Sequence, residues 1–497
     1  MERFTIIENF IPKNDAHLLE KAEAAKPVLL ERMVLPLAGN VPASLGAGES
    51  ATYDFGTHRV GYVTLKLGCS GSHPDAPAYF TVQFAEQRSE FEEDPAAYHG
   101  WISKGWIQTE TLHADRLPCV VSLPRRYAFR YVRLTVLDVS RKYRVVPEGI
   151  ECRAVSAVDA ASVPALGSGD EMLDRIDAVA VKTLAECMQD VFEDGPKRDR
   201  RLWLGDFRLQ ALADYATFDR LDLVRRCLYL FAGTRFPDDR IAACLFTDGE
   251  AVADDTWFSD YALFYPVALA EYCQRSGDRE TLSDLYEIAQ KQIDLTLSMT
   301  DGNGVVNHAF VEATFIDWCI GLDKAACAQG VLLYALPFGI TLAELQGDTA
   351  RAARYRDALE RGRAAAKERF FDGQCCVSNG QIAPASAVWL TLGGVLTEAE
   401  AKEALHSVLS RTTAYPMVSP YLHHYLLEAL LKANDPNAAK EHLLAYWGSM
   451  VRYGADTFFE VWNPADPDAS PYGGKIVNSF CHAWSCTPSY FLRNRLL

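Results

Sequence analysis

The sequence predicts a mainly α-helical protein with an antiparallel β region on its N-terminal side. The observation behind this prediction is a change of hydrophobic period along the chain of 497 residues. From about residue 50 to 158, apolar and polar residues alternate, which is the period of half-buried strands. After about residue 166 the period becomes helical. We therefore expect residues 1–165 to form a β domain and residues 166–497 a helical domain.

The β prediction depends on four short runs in the first region. They occupy residues 60–67, 79–84, 117–123 and 129–136, and they are rich in β-branched and aromatic residues. Clusters of Gly, Ser, Pro and Asp separate them and mark turns. An antiparallel β-sandwich is the natural packing for such a set of strands.

The helical prediction begins with Leu173, Ile176, Ala180 and Leu184, which share one helical face, and with Asp170, which is a suitable N-cap in front of them. Helical hairpins packed in a ring and an open helical solenoid would both give this periodicity, so the alternative stays open. Further amphipathic stretches recur near residues 207–230, 257–275, 281–299, 324–345, 348–369, 398–410, 420–433 and 437–450.

Charge and composition exclude several classes of function. The net charge of -17 and the absence of a Lys/Arg-rich run argue against nucleic acid as a partner. The N-terminus lacks a signal-peptide pattern, and we find no apolar run of the roughly 18 residues that span a membrane. The 13 cysteines are odd in number and lack C-x-x-C spacing, so we expect reduced core thiols and a cytoplasmic protein.

Three long loops combine carboxylates with aromatic residues. They cover residues 192–206, 248–261 and 454–474. Aromatic faces stack on sugar rings while carboxylates bind hydroxyl groups, so this combination favours a carbohydrate ligand. Glycoside hydrolysis needs one carboxylic acid and one carboxylate, which separate loops at one rim could supply. A solvated turn of paired charges explains the first loop equally well.

The first of these loops resembles a motif of the α-L-rhamnosidases of glycoside hydrolase family 78. The family motif is D-C-P-x-R-E-x-x-x-W-x-G-D, and the order and spacing of Asp194, Arg198, Asp199, Trp203 and Asp206 are similar to it. The resemblance implies that Asp199 is the catalytic acid. It implies that the other four residues bind substrate.

Two residues depart from the family motif. Gly195 replaces the usual Cys, and Asp199 replaces the usual Glu. The shorter side chain of Asp199 would withdraw a proton donor by about 1.5 Å, a displacement large enough to cost activity unless the loop or the substrate moves closer.

The resemblance extends to later parts of the chain. The glycine-led aromatic loop 454–462 is similar to the loop that carries the family's general base, and the matching residue is Glu460. His482 matches a substrate-contacting histidine, and Trp257 and Trp318 match aromatic walls more loosely. The family fold implied is an (α/α)6 toroid, the six-hairpin glycosidase fold, preceded by a β-sandwich.

From these matches we expect an inverting glycosidase that cleaves terminal α-L-rhamnosyl residues from oligosaccharides or glycosides. Asp199 would protonate the glycosidic oxygen while Glu460 deprotonates the attacking water. We expect no cofactor and no metal, since no nucleotide or zinc motif is present. Two alternatives stay open: a six-hairpin enzyme acting on a fucoside, glucoside or uronide, and a non-catalytic sugar-binding homologue. The oligomeric state is open too, with a homo-oligomer as one option.

Overall fold

A computed structural model describes residues 10–412 and 415–497 of the chain. The strands of this part lie mostly before residue 157, as the alternating period predicts. They are β1 (Lys13–Asn14), β2 (Leu30–Val34), β3 (Ala38–Asn40), β4 (Ser50–Gly71), β5 (Ala78–Ala85), β6 (Thr109–Ala114), β7 (Cys119–Ser122), β8 (Tyr127–Asp138), β9 (Tyr143–Ser156), β10 (Leu202–Trp203), β11 (Thr234–Arg235), β12 (Cys244–Phe246), β13 (Val252–Ala253), β14 (Val377–Ser378) and β15 (Gln381–Ile382).

Strands β2 to β9 form one antiparallel sheet, which we call the sheet region. The long strand β4 joins its two halves, because its first half pairs with β3 and β8 and its second half with β7 and β9. The pairing register of β4 shifts between Asp54 and Arg59, where Gly56 has a φ of 81°. Both halves bury apolar residues in a common core. The antiparallel β prediction is confirmed, while the division into two sandwich layers stays a prediction.

The helices dominate the rest of the chain, which we call the helical region. Asp170 caps the first of them as predicted, because its side chain accepts hydrogen bonds from the amides of Met172 and Leu173. The helices of the described chain are α1 (Ala16–Ala24), α2 (Glu171–Cys187), α3 (Leu204–Tyr215), α4 (Leu221–Gly233), α5 (Ser259–Ser276), α6 (Arg279–Ser298), α7 (His308–Glu312), α8 (Ala325–Gln346), α9 (Thr349–Phe370), α10 (Pro384–Leu392), α11 (Glu398–Leu409), α12 (Pro420–Lys432), α13 (Pro436–Tyr453) and α14 (Pro488–Phe491).

In the described chain six helical hairpins form a closed ring. The mostly buried inner helices are α3, α5, α8, α10, α12 and α14, and the outer helices that precede them are α2, α4, α6, α9, α11 and α13. The outer helices keep exposed residues except α4, which α1 covers. Helices α13 and α14 at the C-terminal end pack against α2 and α3 at the start of the region. The contact between the first and last hairpins selects the (α/α)6 toroid over an open solenoid, and the predicted fold class is confirmed.

The helices of the structure differ from the predicted stretches in two places. The stretch predicted near residues 207–230 is divided into α3 and α4 by a turn in which Asp219 has a φ of 55°. Helix α10 lies outside every predicted stretch. All of its residues are buried, so its sequence has no polar face and no amphipathic period.

The N-terminal segment of the chain packs on the helical region. Strand β1 pairs with β11, and α1 packs against α4 with Leu18 and Ala22 in the core of the helical region. Residues 13–25 were predicted as part of the first domain, but they pack on the helical region and not on the sheet. The division at residue 165 stays a prediction.

A buried ionic cluster joins the sheet region to the helical region. His58 of β4 lies between two carboxylates, with Nε2 at 2.9 Å from Glu86 Oε1 and Nδ1 at 3.3 Å from Glu186 Oε2 of α2. Burial alone would lower the pKa of His58, but Cys481 and the hydrogen bonds to both carboxylates raise it well above its ordinary value. The imidazole is therefore positively charged at neutral pH. It attracts the carboxylate of Glu86 in the sheet region and that of Glu186 in the helical region.

The prediction that no apolar run reaches membrane-spanning length needs a correction. Within the described residues one helix, α8, is long and apolar enough to span a membrane. Its apolar window is 72% buried inside the protein, which is typical of the core helix of a soluble fold. No disulfide joins any of the 13 cysteines, which all lie in the described part of the chain, and all but Cys69 and Cys119 are buried, as core thiols should be.

Candidate active site

A cavity of about 960 Å³ opens at the end of the helical ring where the long loops meet. The structure brings every residue predicted for the site to the wall of this one cavity, although the nine lie as far apart in sequence as 288 positions. They are Asp194, Arg198, Asp199, Trp203, Asp206, Trp257, Trp318, Glu460 and His482. Their individual roles stay predictions.

Asp194 organises the loop between α2 and α3. One of its carboxylate oxygens accepts a hydrogen bond from the amide of Arg201 at 3.0 Å, and the other accepts one from the amide of Asp199 at 3.2 Å. Its carbonyl oxygen accepts a hydrogen bond from the amide of Ala483 at 2.7 Å. A single buried aspartate thus fixes the backbone of Asp199 and links the loop between α2 and α3 to the segment around Ala483.

The replacement of the family's Cys by Gly195 has a steric reason in this chain. A Cβ atom at this position would lie 2.5 Å from the carbonyl oxygen of Arg198 and 2.7 Å from Oγ of Ser479. Both distances are far below van der Waals contact, and the first is to rigid backbone. The loop as folded here therefore requires glycine.

Glu460 is buried and held from both sides. Its Oε1 accepts a hydrogen bond from the hydroxyl of Tyr472, and its Oε2 accepts one from Nη2 of Arg198. Its amide donates to the carbonyl of Ser479 at 3.0 Å, and its own carbonyl accepts from Nε1 of Trp484 at 2.8 Å. Burial raises the pKa of Glu460, although Arg198 and Tyr472 favour the ionised form.

Arg198 lies between the two predicted catalytic carboxylates. Its Nη1 is 3.4 Å from Oδ1 of Asp199, while Nη2 binds Glu460. Burial disfavours the charge of Arg198, but Glu460 in particular raises its pKa well above the ordinary value. Arg200, which follows in the sequence, instead donates to the carbonyl of Pro196 at 2.9 Å and does not bind either carboxylate.

Three more titratable groups form the floor of the cavity. His482 lies 3.5 Å from Asp206 and 3.9 Å from Asp194 through its two ring nitrogens. Burial, followed by the charge of Asp199, raises the pKa of Asp194 to about 8, and burial with the charge of Asp194 raises that of Asp206 well above its ordinary value. Burial and the charge of Arg198 lower the pKa of His482, which is therefore neutral.

Some polar atoms of the floor lack hydrogen-bond partners within the described part of the chain. They include Oδ1 of Asp206 and Nδ1 of His482, two buried atoms that lie 3.5 Å apart without forming a hydrogen bond. The indole Nε1 atoms of Trp257 and Trp318 likewise have no hydrogen-bond partner among the described residues. Because an unsatisfied buried polar group costs free energy, a ligand with several hydroxyl groups is a suitable partner for them.

Aromatic rings form the walls of the cavity. Trp203 stacks on Phe258 with ring centroids 6.3 Å apart, and Trp318 contacts Tyr472 edge to face at 5.9 Å. Trp101 reaches the cavity from the sheet region and lies 6.5 Å from Trp318. The mixture of aromatic faces with carboxylates is the combination that suits a sugar ring.

Several residues of the cavity were missed by the sequence analysis. Tyr472 lies in the third long loop, 12 positions after Glu460, but nothing in the local pattern distinguishes it. Trp101 and Trp106 lie between β5 and β6, in a segment without hydrophobic period. Within residues 10–412 and 415–497 no group of three His, Cys, Asp or Glu side chains is arranged to hold a metal ion, and the expected absence of a metal stays a prediction.

Comparisons with protein families match nearly the whole chain. Residues 36–154 match the N-terminal domain of glycosyl hydrolase family 78 α-rhamnosidases. Residues 163–496 match the six-hairpin glycosidase domain of bacterial α-L-rhamnosidases. Among proteins of curated function no relative reaches the level of a match.

Solved structures give the same result. A rhamnosidase from Klebsiella oxytoca with rhamnose bound is 42% identical, with a TM-score of 0.94 over 98% of this chain and 100% of that one. The family 78 rhamnosidase of Bacillus sp. GL1 is 22% identical, with a TM-score of 0.75 over 91% of this chain and 47% of that one. The Streptomyces avermitilis α-L-rhamnosidase complexed with L-rhamnose is 17% identical, with a TM-score of 0.69 over 94% and 44%. These last two likenesses concern the fold alone.

Proposed function

Because the chain belongs to the α-L-rhamnosidases of glycoside hydrolase family 78, and is an α-L-rhamnosidase-like glycosidase, we propose that it releases terminal α-L-rhamnosyl residues from oligosaccharides or glycosides with inversion. The observation that carries the mechanism is that Asp199 and Glu460 line one cavity and bind the same guanidinium group. A guanidinium with a hydrogen bond on each side spans at most about 8 Å. This spacing allows the separation of ~6.5–9.5 Å used by inverting glycosidases.

Asp199 acts as the general acid in this proposal. Its side chain is 20% exposed toward the cavity, whereas that of Asp194 is 5% exposed. Burial and the charge of Asp199 raise the pKa of the neighbouring Asp194 to about 8, so Asp194 retains a proton at neutral pH. That proton is delivered to the glycosidic oxygen by Asp199, the member of the pair that substrate can reach.

Glu460 acts as the general base. Burial raises the pKa of Glu460, and the positive charge of Arg198 opposes this effect and favours the ionised form that a base needs. Water on the opposite face of the sugar ring transfers a proton to this carboxylate as its oxygen attacks the anomeric carbon. Asp206, His482 and the indole groups of the walls bind the hydroxyl groups of the sugar. The rhamnose bound to the Klebsiella oxytoca relative supports the choice of sugar.

Two measurements test the proposal on the wild-type protein. A panel of aryl α-L-rhamnosides, fucosides, glucosides and uronides should give release from the rhamnoside, and NMR during turnover should show the inverted anomer first. Release from another sugar alone would identify a different six-hairpin glycosidase. Appearance of the retained anomer would remove the inverting mechanism.

Variants of the two carboxylates test their roles separately. Asp199→Asn should lower kcat/KM by about 10²- to 10⁴-fold for poor leaving groups, but much less for p-nitrophenyl rhamnoside, because an activated leaving group needs little protonation. Glu460→Gln should lose turnover of both substrates. A protein that binds rhamnose equally well before and after both substitutions, and never turns it over, would be a sugar-binding homologue.

We also propose a cytoplasmic location. Thirteen cysteines without a disulfide among them are typical of a protein in a reducing compartment. Cell fractionation of a producing organism would contradict this if the protein were recovered outside the cell. That the protein binds neither nucleic acid nor membrane stays a prediction. The oligomeric state stays open, with a homo-oligomer as one option.

A further inference from the structure

The segment between β5 and β6, residues 86–108, leaves the sheet region and packs on the loop that carries Glu460. We call this segment the arm. Glu93 of the arm accepts hydrogen bonds from the amides of Lys475 at 3.1 Å and Ile476 at 3.0 Å. Glu86 accepts one from the amide of Phe480 at 2.6 Å. Two carboxylates of the sheet region thus bind three backbone amides of the catalytic loop.

The aromatic residues of the arm continue this contact up to Tyr472. The hydroxyl of Tyr98 donates to the carbonyl oxygen of Tyr472 at 2.8 Å, and Nε1 of Trp101 donates to the carbonyl of Pro471 at 2.7 Å. A Cβ atom on Gly100 would lie 1.9 Å from the carbonyl oxygen of Tyr472, so the two backbones approach as closely as glycine allows. Tyr472 therefore has its main chain fixed from the sheet region.

The side chain of Tyr472 meets both charged groups of the base. Its hydroxyl donates to Oε1 of Glu460, and its ring lies under the guanidinium of Arg198 at 4.0 Å. With Oε2 held by Arg198, the carboxylate of Glu460 is bound through both oxygens and cannot rotate freely. A base that removes a proton from a water in one position needs such a fixed orientation.

We propose that Tyr472 is a positioning residue for Glu460 and that the arm of the sheet region fixes Tyr472 in place. This inference rests on the proposed role of Glu460 as general base. In this arrangement the sheet region is part of the catalytic apparatus, since it sets the orientation of a carboxylate that belongs to the helical region.

Tyr472→Phe is the first test, since it removes the hydroxyl and keeps the ring under Arg198. Loss of a hydrogen bond to the ionised carboxylate favours its protonated form, so the acidic limb of the kcat/KM profile should move up by roughly one pH unit. On that limb kcat should fall about tenfold with little change in KM. Tyr355→Phe is the matched control, because the hydroxyl of Tyr355 donates to Asp294 at 2.7 Å outside the cavity.

Tyr98→Phe tests the arm without touching the carboxylate. The acidic limb of its kcat/KM profile should also move to higher pH, but by less than in Tyr472→Phe. The Tyr98→Phe/Tyr472→Phe double variant should show a shift no larger than that of Tyr472→Phe alone. An unchanged pH profile in Tyr472→Phe, or additive shifts in the double variant, would overturn the inference. If Glu460→Gln kept full turnover, the proposed function itself would fail, so the two failures are distinguishable.

Discussion

Gly195→Ala is the smallest change that should damage the active site without removing a functional group. The added Cβ would lie 2.5 Å from the carbonyl oxygen of Arg198, whereas ordinary contact begins at about 3.4 Å. The backbone must therefore shift by about 0.9 Å at the residue that precedes Asp199. Overpacking of this kind costs about 1–3 kcal/mol of stability, and a displacement of 1 Å at a catalytic group costs up to about 10²-fold in rate.

The assay compares the free energy of unfolding in urea and kcat/KM with those of Gly302→Ala. A Cβ on Gly302 meets nothing within 4 Å, and this control should be within about 1 kcal/mol of the wild type with full activity. Gly195→Cys, which introduces the family residue, should be at least as harmful as Gly195→Ala. If Gly195→Ala matched the control in both measurements, the steric explanation for this glycine would be refuted.

Three further predictions concern pH and substrate binding. The profile of kcat/KM should be bell-shaped, falling on the alkaline side near pH 8 as the proton associated with Asp194 is lost and on the acidic side as Glu460 is protonated; a flat profile from pH 5 to 9 would contradict this. His58→Gln should lower Tm most below about pH 6.5. The Tm difference from the wild type should narrow as pH rises through the raised pKa of His58, because the charged imidazole is the form that stabilises the fold. A Tm difference that does not depend on pH would exclude this charge effect. Trp318→Ala should raise KM by about 3- to 10-fold with a smaller effect on kcat, since it removes an aromatic wall; unchanged initial-rate kinetics would place Trp318 outside the substrate site.

The parts of the fold that could be predicted are those in which burial is one-sided. Strands with one buried face and outer helices such as α2 carry their periodicity in the sequence, and Asp170 marks a helix start by its own chemistry. Helix α10 is buried on all sides, so its sequence carries no such signal. Closure of the ring depends on contacts between α13 and α2, which are distant in sequence and invisible to periodicity.

The residues of the candidate site also fall into those that the sequence predicts and those that it does not. Asp194, Arg198 and Asp199 fall within one continuous motif, so their proximity follows from chain connectivity and the motif is recognisable. Tyr472 and Trp101 reach the cavity through a contact between two regions of the fold, and neither has a local pattern that indicates it. The requirement for glycine at position 195 arises partly from the carbonyl of Arg198 in the same loop and partly from Ser479, a residue distant in sequence.

The packing of α1 on α4 has a consequence for how the polypeptide can be divided. Residues 13–24 pack on the helical region, the following residues build the sheet, and the chain returns to the helical region at α2, so the sheet is inserted between two pieces of one helical body. A fragment beginning at residue 163 would lack α1 and uncover the apolar surface on α4 that Leu18 and Ala22 occupy. We therefore expect the two portions to unfold together, and we expect neither to be stable as a separate fragment.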